Sequence, residues 1–351
     1  MERLKVGVIF GGMSSEKEVS LNSGRNVHDN LDRDRFNPVA VFMDSRGGLW
    51  ILPWQLISQN TTIDISERLE PEARRIGYEE LPHTIDFAFL ALHGKYGDDG
   101  CIQGLMELLG IPYTGPGVLA SALGMDKAVQ QKVLEASGIR TPRSMVIECA
   151  VWKSGREEVE KAVCSAFNFP MVTKPTREGS SFGVTIVKNP GELAAGIEAG
   201  LVWDTTVLIE EFLEGVEFSS IVFEGECGPY PLAVTEIRPQ NCFYGYDDKY
   251  MPGKCRKFTP PKNIRPDIVK IIEKEVIKTF KALEFRSYGR IDGFVLTDGS
   301  VVITDPNSSS GMAPSSFFFE QAAERGMAPS MILTELIEIS LRVHSRKKGP
   351  L

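Results

Sequence analysis

Two dense apolar runs constrain this chain more than any other feature: Leu4–Phe10, closed by Gly11-Gly12, and Phe87–Leu92, followed at once by His93-Gly94. Neither alternates apolar with polar residues. A strand made from either would therefore be buried on both faces rather than half-solvated. Pro38–Met43 is a further strand candidate, Cys101–Leu109 reads as a helix and Ile111–Tyr113 as a short strand, while Ser20 could cap a helix that follows it. Strands alternating with helices predict a parallel sheet with helices on both faces, an α/β fold. Ligands of such sheets bind outside the C-terminal strand ends, and both glycine pairs stand at such ends.

At 351 residues the chain exceeds one ordinary core, so two or three domains are expected. The first unit is read as residues 1–121. The second, 122–215, contains helix candidates at Asp126–Ala136 and near Arg156–Phe167, and strands at Ser144–Ile147, Met171–Lys174, Gly183–Lys188 and Val207–Glu211. The third, 216–346, contains strands near Glu217–Phe223 and Tyr230–Ile237 and a polar loop from Arg238 to about Pro261. Ile268, Ile272, Val276, Phe280 and Leu283 then recur at helical spacing. Thr297-Asp298-Gly299-Ser300 reads as the turn of a hairpin between Gly289–Leu296 and Val301–Asp305. The tail from Ser345 reads as disordered.

Composition removes several classes of function. A net charge of −8 argues against nucleic acid or an anionic membrane surface as partner. No apolar stretch reaches the roughly 20 residues of a membrane span, and the N-terminal run reads as a strand rather than a secretion signal. Six cysteines stand singly, no CxxC pair occurs and there are four histidines, so free thiols in a reducing cytoplasm are expected rather than disulfides or structural zinc.

Four constellations carry chemistry. Lys174 ends a strand and precedes Arg177-Glu178-Gly179-Ser180-Ser181-Phe182-Gly183, small residues whose backbone N–H groups can approach phosphate. Asp292, two residues after Arg290, faces the end of a partner strand carrying Asp305 and Asn307, hard oxygen ligands suited to Mg²⁺. Arg290 can stabilise developing negative charge. Glu210–Gly215 offers backbone groups to an adenine edge, with Glu217 near for a ribose; spacing alone equally allows an interdomain linker. Glu16 can pair with an ammonium group or simply complement a helix N-terminus, and His93 lies in a loop, where site roles concentrate.

In order along nearly the whole chain, these segments resemble the D-alanine–D-alanine ligases of the ATP-grasp superfamily. The resemblance is carried by Glu16–Gly24, His93–Gly100, Ile111–Gly115, Ala122–Lys127, Arg177–Gly183, Leu208–Gly215, Lys249-Tyr250, Gly289–Asp292 and Asn307–Ser316. It implies a Rossmann-like N-terminal domain followed by a two-subdomain ATP-grasp fold, ATP and two Mg²⁺ ions (Mn²⁺ as a substitute), cytoplasmic peptidoglycan-precursor synthesis and a homodimer. By matching position, Lys127, Lys174 and Ser181 would bind phosphate, Glu210 and Leu213 adenine, Glu217 ribose, and Asp292, Asp305 and Asn307 the metals. Glu16 would hold the first substrate's ammonium, Arg290 and the Gly311 N–H would form the oxyanion hole, and Ser316 and Phe317 would receive the second substrate's carboxylate, with His93 also at the substrate. Ser180, Lys249 and Tyr250 match a lid over the site. Tyr250 is the residue expected where the second nucleophile is an amine. The family usually has glutamate at Asp305 and Asp98, proline at Ser310, leucine at Phe317 and a smaller aliphatic at Phe182. These departures keep other acceptors, such as D-serine, and a weakly active ATP-binding homologue as alternatives.

Overall fold

The computed structural model of the protein describes residues 3–239 and 255–347. Its strands form three sheets. The first has the order β4-β3-β2-β1-β5, with β1 Leu4–Gly11, β2 Phe36–Met43, β3 Leu49–Ile51, β4 Arg74–Ile76 and β5 Phe87–Leu90. The apolar runs make its centre: β1 is parallel to both β2 and β5, and Val6, Val8, Ile9 and Phe10 are fully buried. The expectation of a purely parallel sheet is corrected, because β3 and β4 add antiparallel at one edge. Each is three residues long and too short to show a periodicity.

The second sheet, β6-β9-β7-β8, is antiparallel and comprises β6 Ser144–Glu148, β7 Met171–Pro175, β8 Thr185–Val187 and β9 Thr206–Glu211. The third, β12-β11-β10-β13-β14, is also antiparallel, with β10 Gly215–Gly225, β11 Gly228–Pro239, β12 Cys255–Phe258, β13 Tyr288–Leu296 and β14 Val301–Asn307. The periodic helix spans Pro266–Ala282 and buries Ile268, Ile272, Val276 and Phe280 on this sheet.

Four local expectations are corrected. The first helix spans Lys17–Asn30 and takes in Ser20, whose hydroxyl instead accepts from Gly11 N (2.9 Å) and donates to Ala91 O (2.7 Å), tying the ends of β1 and β5 together. Ile111–Tyr113 makes a single bridge, Ala88 to Tyr113, rather than a strand. The polar stretch 238–261 contains the end of β11 and the whole of β12; Lys249 and Tyr250 lie outside the described residues. The last helix runs Pro329–Lys347, into the segment read as a disordered tail.

The hydrophobic cores cross the linear order of the chain. Val6, Phe10, Leu21 and Val27 share one core with Tyr288, Phe318, Ile332, Leu333 and Leu336, and the C-terminal helix packs back on the first helix. Leu134 and Ile139 pack with Ile272, Phe280 and Ile303 of the third sheet's core.

Candidate active site

Three strand-end loops and the glycine loop meet at one cavity of about 520 Å³. Glu16, His93, Lys127, Lys174, Ser180, Ser181, Glu210, Leu213, Glu217, Arg290, Asp305, Asn307 and Gly311 all line it, although they come from positions 16 to 311 of the chain. Asp292 stands beside it; Ser316 and Phe317 do not line it.

On the first sheet, the Ser14 hydroxyl donates to His93 O at 2.6 Å and accepts from Glu16 N at 3.1 Å, which fastens the Glu16 turn to the His93 loop. His93 is buried, with Nε2 at 2.9 Å from the Ser23 hydroxyl. Burial pushes its pKa down to about 4; the Glu16 charge opposes this and Arg290 adds to it, so the ring is neutral at pH 7.

The glycine loop closes on Glu16 from the second sheet. Ser180 donates its hydroxyl to the Glu16 carboxylate. A side chain at Gly179 would collide with that carboxylate. Ser180 and Ser181 both hold positive φ, +48° and +62°, a left-handed conformation that non-glycine residues adopt only when surrounding contacts impose it. The contacts are at the loop's flanks: Arg177 Nη2 pairs with Asp204 Oδ1 at 2.8 Å, and the Phe182 ring lies 5.0 Å from Trp203. Glu178 also lines the cavity, and its pKa is raised by burial first and by the Glu16 charge second.

Lys174 and Glu210 sit on paired strands in diagonal register, since Lys174 is opposite Leu208. Their side chains form a buried ion pair, Nζ to Oε2 at 2.7 Å, and Gln131 also donates to Glu210. The Glu210 side chain is thus engaged by a lysine that the sequence reading placed separately on phosphate. Lys127 Nζ donates to Glu178 O at 2.8 Å and lies 3.6 Å from Asp305 Oδ1.

On the third sheet, Arg290 is opposite Asn307 and Asp292 opposite Asp305. The hairpin therefore brings two carboxylates and an amide together, as the turn signal required. Asp292 accepts from the Ser219 hydroxyl at 2.6 Å and from Arg290 Nε at 3.1 Å. Among the described residues no three His, Cys, Asp or Glu side chains gather as a metal cluster; this donor set has two carboxylates and one amide. A side chain at Gly311 would meet nothing within 4 Å, so its backbone opens on the cavity. Ser316 caps the helix Phe317–Glu324, and its buried hydroxyl oxygen has no hydrogen-bond partner among the described residues.

Sequence reasoning named Asp98 only as a departure and missed Ser23 and Ser309 as residues of the site. Asp98 is half-buried and accepts from Gly94 N at 2.7 Å. Burial raises its pKa to about 6, against the lowering effect of hydrogen bonds from Ser309 and Gly94. A single acid directly after a loop glycine leaves no periodic signal.

The description "D-ala D-ala ligase N-terminus" matches residues 5–116, and "D-ala D-ala ligase C-terminus" matches residues 133–338. A D-alanine–D-alanine ligase of Carboxydothermus hydrogenoformans is 34% identical over 339 residues, 96% of this chain and 98% of the relative. The VanG D-Ala:D-Ser ligase of Enterococcus faecalis superposes with a TM-score of 0.83 at 29% identity, over 97% of this chain and 100% of that one. The Bacillus anthracis D-alanine–D-alanine ligase complexed with ATP superposes with a TM-score of 0.74 at 30% identity, over 98% of this chain and 99% of that one. These neighbours carry the ATP-grasp fold, and the expected fold class is borne out. By profile, by sequence and by shape, the chain belongs to the D-alanine–D-alanine ligase family.

Proposed function

We propose that the chain joins two D-alanines at the expense of ATP, through an acyl phosphate. The observation that carries this reading is the convergence of Glu16, Arg290, Asp305, Asn307 and the Gly311 backbone with the glycine loop on one cavity. A carboxylate is a poor acyl donor. Its oxygen attacks the γ-phosphorus of ATP, ADP leaves, and the resulting acyl phosphate is a good acyl donor. The amine of the second D-alanine then attacks the acyl carbon, a tetrahedral oxyanion forms, and phosphate departs as the amine loses its proton.

Each site residue has a role in this scheme. Glu16 takes the donor's ammonium group, and the acid-rich wall it forms with Glu178 favours cations. Lys127, Lys174 and Ser181 meet the phosphates, Glu210 and Leu213 the adenine, and Glu217 the ribose. Arg290 and the Gly311 N–H stabilise the oxyanion. Ser316, whose hydroxyl oxygen has no hydrogen-bond partner among the described residues, receives the acceptor's carboxylate together with Phe317. Ser180 closes the site on Glu16, with Lys249 and Tyr250 completing a lid that excludes water, which matters because acyl phosphates hydrolyse. Asp292, Asp305 and Asn307 fit Mg²⁺, a hard cation that takes a few protein oxygens and completes its shell with phosphates and water. Bound there, two such ions would offset phosphate charge. The units 1–121, 122–215 and 216–346, a homodimer and a cytoplasmic role in peptidoglycan-precursor synthesis complete the proposal. No described helix is long and apolar enough to cross a membrane.

A second reading, D-serine as acceptor, is supported by the likeness to the VanG D-Ala:D-Ser ligase and by the departures at Phe182, Asp305, Ser310 and Phe317. Phosphate release from Mg-ATP with D-alanine, L-alanine, D-serine and D-lactate, with products identified by mass, separates the readings. D-Alanine alone giving the D-alanyl-D-alanine mass supports the first. A mixed product only when D-serine is added supports the second, and silence with every substrate overturns both.

A further inference from the structure

The Glu210 carboxylate, buried in the wall of the cavity, is held from two sides by groups of this chain. Lys174 Nζ lies 2.7 Å from Oε2, and the Gln131 amide donates to Oε1. Gln131 sits one turn after Lys127 on the helix Lys127–Ala136, is itself buried, and is not among the residues that line the cavity. Ser144, opposite Glu210 in the β6–β9 ladder, donates its hydroxyl to Gln131 Oε1 at 2.5 Å. A carboxylate only accepts, so the amide must turn its NH2 end to Glu210, and its carbonyl end then takes the Ser144 proton. The neighbouring Gln130 donates to Pro306 O at 2.8 Å, which fastens the helix to the third sheet independently of Gln131.

We propose that Gln131 is a positioning residue: it fixes the Glu210 carboxylate to receive the 6-amino group of adenine, and so sets the preference for ATP over nucleotides with a 6-keto purine. This role rests on the reading that Glu210 meets the adenine. A carboxylate offers about four lone-pair sites, so two donors from the chain leave room for a third from the ligand. A 6-keto purine brings an acceptor to that place and gains nothing from it. Without the Gln131 donor, the carboxylate is free to turn towards Lys174, whose charge attracts both oxygens. The loss then falls on the hydrogen bond of the amino group, and a nucleotide that lacks this group is unaffected.

The test is displacement of a fluorescent ADP analogue from the full chain by ADP and by IDP, which differ at the 6-position, with Mg²⁺ and without amino acid. The wild type should bind ADP about tenfold or more tighter than IDP, the worth of one hydrogen bond to a charged group. Q131M keeps the volume but not the donor, and Q131E turns the donor into an acceptor. Both should cut the ratio by about five- to tenfold, with IDP affinity within about twofold of wild type. S144A should cut it by about threefold, since a neutral hydrogen bond is lost, and S144T, which keeps the hydroxyl, should preserve it. Parallel weakening of ADP and IDP, or an unchanged ratio in Q131M and Q131E, overturns the proposal. Where these buried variants do not fold, S144A on its edge strand decides by the same criterion. A ratio lost in E210A but kept in Q131M overturns the positioning role and leaves the adenine reading standing; a ratio kept in E210A overturns both. The readout needs no turnover, so it stands apart from the outcome of the dipeptide assay.

Discussion

Asp305 shows how little of a side chain's role lies in its identity. Its position opposite Asp292 follows from the hairpin, and Lys127 at 3.6 Å faces it from the start of the helix Lys127–Ala136. If it holds metal, Asp305→Asn should lower Mg-dependent turnover by about a hundredfold, since the amide removes a charge from a hard-cation site. Near-normal rates would sink the assignment. His93, buried, and Asp98, half-buried, pull stability in opposite directions with pH. Asp98 titrates near 6 when folded against 3.8 ordinarily, so the folded state binds more protons between about 4 and 6 and loses stability as pH rises through that window. His93 titrates near 4 against 6.5, so the folded state binds fewer protons and gains stability between about 4 and 6.5. D98N removes only the falling contribution. The melting temperature of D98N relative to wild type should thus climb from pH 4 to pH 6; parallel curves would contradict the protonated carboxyl.

Elements long enough to show a period were legible. Pro266–Ala282 announced itself by five apolar residues at helical spacing, and β13 and β14 by a four-residue turn signal. Elements made by partners were not: β3 exists because β2 offers it an edge, β4 because β3 does, and β12 because β11 does. The glycine loop falls between these cases. Its composition pointed to phosphate, while its conformation depends on Asp204 and Trp203, contributed from beyond β8. Trp203→Ala should raise the KM for ATP by about two- to tenfold, the cost of losing one aromatic pair, with circular dichroism unchanged. An unaltered KM would mean the stack does not position the loop.

Across the whole molecule, the first core joins β1 and the first helix to the last helix. Leu336, fully buried there, couples the chain's ends. Leu336→Ala should cost about 2–5 kcal/mol in denaturant unfolding, the range for a large apolar side chain cut back in a packed core; a cost near zero would show that the C-terminal helix docks without contributing. The sequence by itself determined the buried strands, the glycine turns at their ends, the acidic hairpin and the order of the motifs, because each is a local matter of side-chain period and backbone freedom. Only the tertiary structure decided that Lys174 pairs with Glu210, that Ser180 reaches Glu16 and that Ser308 donates to the Asp98 carbonyl. Those contacts span 36 to 210 positions, and no pattern along the chain encodes a distance that arises only when separate sheets pack against one another.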